Sequence, residues 1–105
     1  MNQRTVKLDR NNKSIIIRAL HAVYQQRKQS GQNFTNEGQL ILRVNEATDG
    51  KLQMSEDEYH TARSALNQLR NERIAAGGCT DAIDEALYKL LKSRHRHSFF
   101  SHCIL

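Results

Sequence analysis

Two stretches of the chain, residues 5–44 and 51–91, follow one plan: a short alternating segment, a long helical pattern, a glycine stop and a second helical pattern. Writing Val6 over Leu52 sets Leu8 on Met54, Ala19 on Ala65, Leu20 on Leu66, Arg27 on Arg73 and Gly31 on Gly77 at one spacing. A one-residue slip in the turn then sets Thr35 on Thr80 and Leu42 on Leu87. A strand-helix-helix unit cannot bury its apolar face alone, so two of them in one chain are expected to share a core. The expected fold is mainly α with a short two-stranded ribbon. It is a duplicated strand-helix-helix (βαα-βαα) single domain over residues 1–92, with units at about 5–47 and 51–92.

Local signals specify the elements. Thr5-Val6-Lys7-Leu8 and Lys51-Leu52-Gln53-Met54 alternate polar and apolar residues, as half-buried strands do. Asp9 and Ser55 suit helix N-caps, and Ser55-Glu56-Asp57-Glu58 matches a capping box. Ile16, Ala19, Leu20 and Val23 share one helical face; Tyr59, Ala62, Ala65, Leu66 and Leu69 share another. Ser30-Gly31 and Gly77-Gly78 supply the left-handed residue that ends a helix. Thr35 and Thr80 are expected to cap the next helices, which should run to about Ala47 and Arg94. Leu40, Ile41, Leu42 and Val44 would also suit a strand, but the correspondence with residues 80–91 favours helix. The last helix, with Ala82, Ile83, Ala86, Leu87, Leu90 and Leu91, has the broadest apolar face. Thr48-Asp49-Gly50 reads as the turn between the halves.

Absence of proline, scarcity of glycine and abundance of Gln, Arg, Lys, Ala and Leu favour helices over a barrel. Of the net charge of +5, residues 1–30 carry Arg4, Lys7, Arg10, Lys13, Arg18, Arg27 and Lys28 against Asp9 alone. Acids outnumber bases over residues 31–91, and Lys92, Arg94 and Arg96 restore positive charge. A basic half suits phosphate backbones, anionic membranes or acidic proteins, and a solvated surface as well. No apolar run approaches membrane-spanning length and the start of the chain is polar, so neither a membrane span nor a signal peptide is expected. Cys79 and Cys103 make no disulfide framework, so a cytoplasmic location is expected.

The segment Leu52-Gln53-Met54-Ser55-Glu56-Asp57-Glu58-Tyr59, followed by Gly77-Gly78-Cys79-Thr80-Asp81-Ala82-Ile83-Asp84-Glu85-Ala86-Leu87, resembles the ribbon-helix-helix DNA-binding proteins. In that family two copies pair their strands into an antiparallel ribbon that enters the DNA major groove. The resemblance implies a tandem, single-chain version, with Val6, Leu8, Leu52 and Met54 inward and Thr5, Lys7, Lys51 and Gln53 outward. Lysine can donate to guanine O6 and N7, and glutamine can pair with the N6 and N7 edge of adenine. The resemblance also implies phosphate contacts at the openings of the second helices, Phe34-Thr35-Asn36 and Cys79-Thr80-Asp81, where free N–H groups and the helix dipole converge. With Arg4 from the basic N-terminal segment, the candidate nucleic-acid contacts are Arg4, Thr5, Lys7, Lys51, Gln53, Thr35, Asn36 and Thr80. The same outward residues also suit a plain solvated strand. The pattern departs from the family in its longer first helices, the added Asn33-Phe34 and the phosphate-repelling Asp81.

Residues 93–105 form a basic tail rich in His and Phe, expected to be flexible. His95, His97, His102 and Cys103 are zinc-competent types, but no second cluster accompanies them, so no metal is expected. An enzyme is not expected either: there is no phosphate-binding glycine loop and no paired nucleophile and base, and His21 and His60 stand alone on helices. No cofactor is implied. Two functions remain: a small regulator that binds duplex DNA, and a phage-type or plasmid-type accessory protein that binds a host protein through the apolar face at Leu87, Leu90 and Leu91. The uneven charge is compatible with a homodimer in either case.

Overall fold

A computed structural model of the chain describes residues 3–47 and 50–95, without the side chains of Arg94 and His95. In chain order the elements are β1 (Gln3–Lys7), α1 (Arg10–Gln29), α2 (Thr35–Glu46), β2 (Lys51–Ser55), α3 (Glu56–Ala75), α4 (Asp81–Leu91) and β3 (Arg94–His95). The protein is mainly helical, with a short antiparallel ribbon of β1 and β2. The two-residue β3, which the sequence did not announce, pairs antiparallel with the other edge of β1 at Arg4↔His95 and Thr5↔Arg94.

The ribbon register centres on Thr5↔Gln53, between Gln3↔Ser55 and Lys7↔Lys51. Because strand side chains alternate between faces, this register puts Val6 beside Leu52 on the face that meets the helices. Val6, Leu52 and Met54 are buried there, with Leu8 just beyond the strand.

Both long helices start with a reciprocal cap. The Asp9 Oδ1 accepts from the Asn12 N–H at 2.7 Å while the Asn12 Oδ1 accepts from the Asp9 N–H at 3.0 Å, which is how a buried asparagine is satisfied. Ser55 and Glu58 do the same at the start of α3. Both helices end alike: Gly31 and Gly77 have φ of 76° and 77°, and the Gln32 and Gly78 N–H groups donate back to the Arg27 and Arg73 carbonyls. Such a turn needs a residue without a Cβ.

The second helices differ from expectation at both ends. Residues 36–45 are helical, so the strand alternative is excluded. Phe34, not Thr35, is the N-cap residue of α2, and the Thr35 N–H is met by the Asn33 side chain at 2.9 Å. Thr80 does occupy the N-cap of α4, but its hydroxyl donates to Asp84 Oδ2 at 2.9 Å and caps no backbone group. The slip that set Thr35 on Thr80 is therefore not what the elements follow, because Phe34 and Thr80 hold the corresponding cap positions. The α4 helix stops at Leu91, short of Arg94, and the chain turns into β3.

The core joins all four helices to the inner ribbon face: α1 packs on α2, α3 and α4, and α3 packs on α4 and α2. Ile16, Leu20, Leu40, Met54, Leu66, Ile83 and Leu90 are its largest fully buried side chains. Each contributes about 1.5–3 kcal/mol by leaving water. The broad apolar face expected of α4 is split: Ile83, Ala86 and Leu90 are buried, Leu87 is partly buried, and Leu91 is 59% exposed. No helix among the described residues is long and apolar enough to cross a membrane.

Candidate nucleic-acid interface

The outer face of the ribbon carries Thr5 beside Gln53 and Lys7 beside Lys51. Lys7, Lys51 and Gln53 are exposed and Thr5 is half-buried. Neither lysine forms an ion pair among the described residues. Like charges directly opposite each other on a ribbon repel, so this pairing is a local cost to the fold.

Arg4 lies elsewhere. It shares the parity of Val6 and so faces the helices, where its Nε donates to Glu56 Oε2 at 2.8 Å and its guanidinium sits 3.8 Å from the Tyr59 ring centroid. Its Nη1 also reaches the Ser93 carbonyl and hydroxyl. The side chain is 15% exposed, which makes Arg4 a clamp between β1, α3 and the end of α4 and not an outward contact.

Thr35, Asn36 and Thr80 are also remote from the ribbon. The α1 helix leaves β1 and, at a rise of about 1.5 Å per residue, carries its far end about 30 Å away. The α2 helix opens there and returns, so that its last turn meets the start of α1, where the Lys13 ammonium donates to the Ala47 carbonyl. The α4 helix likewise ends at the ribbon, where Ser93 meets Arg4. The helix openings therefore lie at the opposite end of the molecule. The opening of α4 is acidic as well, with Asp81 and Asp84 in its first turn.

What flanks the ribbon instead is the C-terminal end of each returning helix. On the β2 side Arg43 of α2 donates from Nη2 to the Gln53 carbonyl at 2.6 Å and from Nη1 to the Glu58 carboxylate. This covers backbone that an edge strand would otherwise expose. Burial pushes the Glu58 carboxyl up, but hydrogen bonds from Arg43 and Ser55, with the Arg43 charge, lower it on balance below its usual range. On the β1 side Lys89 of α4 and Lys92, its C-cap, join Thr5, Lys7 and Ser93 around a groove of about 300 Å³. Sequence reasoning pointed to the helix openings and missed these residues. The signal was present, since a helix pair that leaves a ribbon and returns must bring basic residues in its last turn, Arg43 and Lys89, back to it.

Among the described residues no group of three or more His, Cys, Asp or Glu is placed to hold a metal ion. His21 and His60 are exposed on α1 and α3, with His60 Nε2 3.9 Å from Glu56. Cys79 is exposed between α3 and α4. The histidines and cysteine of the tail beyond His95, and the Thr48-Asp49 part of the turn, lie outside the described residues. No protein-family model matches the chain, and neither a curated protein nor a solved structure matches it.

Proposed function

We propose that the protein is a small DNA-binding regulator that reads duplex through the outer face of the β1–β2 ribbon. The observation that carries the reading is the composition of that face: Thr5, Lys7, Lys51 and Gln53, with no acid among them. Just beyond β2, Glu56 and Glu58 are held by Arg4 and Arg43. A two-stranded ribbon fits the major groove, and lysine and glutamine are base-reading types. Lys51 and Gln53 are the base-edge readers and Lys7 the residue that meets charge at the rim.

The proposal includes a tandem origin for the two helical hairpins. One spacing supports it, that of Val6 and Leu52, which face each other in the ladder. Asp9 and Ser55 as caps, Gly31 and Gly77 as stops, and Phe34 and Thr80 at the next cap share it. A ribbon built this way would have its near-twofold axis through the Val6–Leu52 pair.

Fluorescence anisotropy of the full chain with selected and randomised duplexes, across a salt series, tests the reading. Preference for selected sequences and a steep fall with salt are expected, because neutralised phosphates release counterions. Gln53→Ala should remove about 1–3 kcal/mol of that preference. Weak binding that is indifferent to sequence would end the proposal. It would favour the second reading, a protein-binding accessory factor, for which the exposed Tyr88 and Leu91 of α4 and Leu42 of α2 speak.

A further inference from the structure

We propose that the groove between β1 and the end of α4 is a phosphate seat, with Lys7, Lys89 and Lys92 supplying charge and the Thr5 hydroxyl a hydrogen bond. The groove is open to solvent and offers about 300 Å³, well above what one ordered water needs and so room for a hydrated phosphate group. None of the three lysines forms an ion pair among the described residues.

Each wall has a defined part. The Ser93 hydroxyl donates to the Leu90 carbonyl at 2.5 Å and accepts from Arg4 at 3.3 Å, so it shapes the floor and has no proton left to give. The Thr5 hydroxyl makes no hydrogen bond among the described residues and is free to donate. Lys92 lies 5.1 Å from the Tyr88 ring centroid, a contact that holds the ammonium near the rim without neutralising it. The helix C-terminus favours cations at Lys89 and Lys92, while Lys7 is opposed by Lys51 across the ribbon. An oxyanion in the groove would relieve that repulsion. Lysines act here as separate point charges around a tetrahedral group, which suits phosphate better than the flat carboxylate that an arginine fork would grip.

That the phosphate belongs to duplex DNA rests on the function proposed above, and two probes separate the claims. Inorganic phosphate titrated into the full chain should shift the amide resonances of Thr5, Lys7 and Ser93, and the Lys89→Gln/Lys92→Gln double variant should abolish those shifts. Unmoved amides, or shifts that persist in the variant, would overturn the seat. With duplex, the double variant should weaken binding to selected and randomised sequences alike, and lower the salt slope by about 0.9 for each phosphate no longer neutralised. An unchanged slope would overturn the seat as a duplex contact while leaving the ribbon reading standing. A wild-type chain that binds phosphate but no duplex would sink the DNA reading and keep the seat. Lys92 is exposed and Lys89 half-buried, and circular dichroism checks that the fold is retained.

Discussion

The α1–α2 and α3–α4 hairpins close the same kind of helix pair with different chemistry. In the first, Tyr24 of α1 packs on Phe34 with ring centroids 4.8 Å apart, and Gly38 of α2 leaves space for the tyrosine ring. In the second, the corresponding place holds Arg70, whose Nε donates to Asp84 Oδ1 at 2.7 Å, and Thr80, which donates to the other oxygen of the same carboxylate. A helix hairpin with one backbone turn thus accepts an aromatic lock or an ionic one. The aromatic lock works by removing apolar surface from water and should ignore pH and salt. The ionic lock is exposed, so it contributes little at ordinary salt and responds to both.

The deepest test of the comparison lies in the core, where the hairpins should be equal. Leu20 of α1 and Leu66 of α3 are both fully buried at matching positions. Leu20→Ala and Leu66→Ala should each cost about 2–5 kcal/mol, since each removes transfer energy and leaves a cavity. Urea unfolding with an unchanged m-value would read that loss. A large inequality would mean that one hairpin carries the core and the other is attached to it.

Much of this arrangement could be read from the chain because it rests on short-range chemistry. Ser55 and Glu58 announce their reciprocal cap, Gly31 and Gly77 their left-handed turns, and the stripe through Ile16, Ala19 and Leu20 its buried face. Asn12 as partner to Asp9 was hidden, because asparagine three residues into a helix usually signals nothing. The candidate interface was legible only in part. Strand alternation identified Thr5, Lys7, Lys51 and Gln53 as one face and, through the parity of Arg4 with Val6, should have set Arg4 on the other. What the sequence hid was its partners, Glu56 and the Tyr59 ring, which lie far along the chain. Lys89, Lys92 and Arg43 depended on helix length and direction, which decide which end of a helix returns to the ribbon. Composition does not carry that information.

A smaller effect probes the aromatic lock. A Cβ added at Gly38 would stand 3.3 Å from Tyr24 Cε2, closer than most such contacts. The ring is only half-buried and can shift by a few tenths of an ångström. Alanine gains about 1 kcal/mol over glycine inside a helix. Gly38→Ala should therefore raise the melting temperature by a few degrees, given about 4–8 °C per kcal/mol for a domain of this size. A fall would show the ring to be fixed by Phe34 more tightly than its exposure suggests.

The smallest effect belongs to the ionic lock, and its sign distinguishes it from the aromatic one. Hydrogen bonds from Arg70 and then Thr80 hold the Asp84 carboxyl below its ordinary value of 3.8, against a weaker opposing push from desolvation. A carboxylate depressed in the folded state stabilises the protein above the unfolded-state pKa, and that contribution is lost as pH falls through the folded-state value. Melting temperatures of the wild type and Asp84→Asn should therefore differ slightly at neutral pH, with the wild type higher, and converge as acid carries the carboxyl through its depressed pKa. Glu58 is depressed as well, so the acid limb of the wild type alone does not isolate Asp84. The difference between the two proteins does, because Glu58 titrates in both. Added salt should shrink the gap at neutral pH, whereas the stability change in Gly38→Ala should hold across the same series. A gap that survives both acid and salt would mean that Asp84 acts by packing, and that the two hairpins close by one kind of force after all.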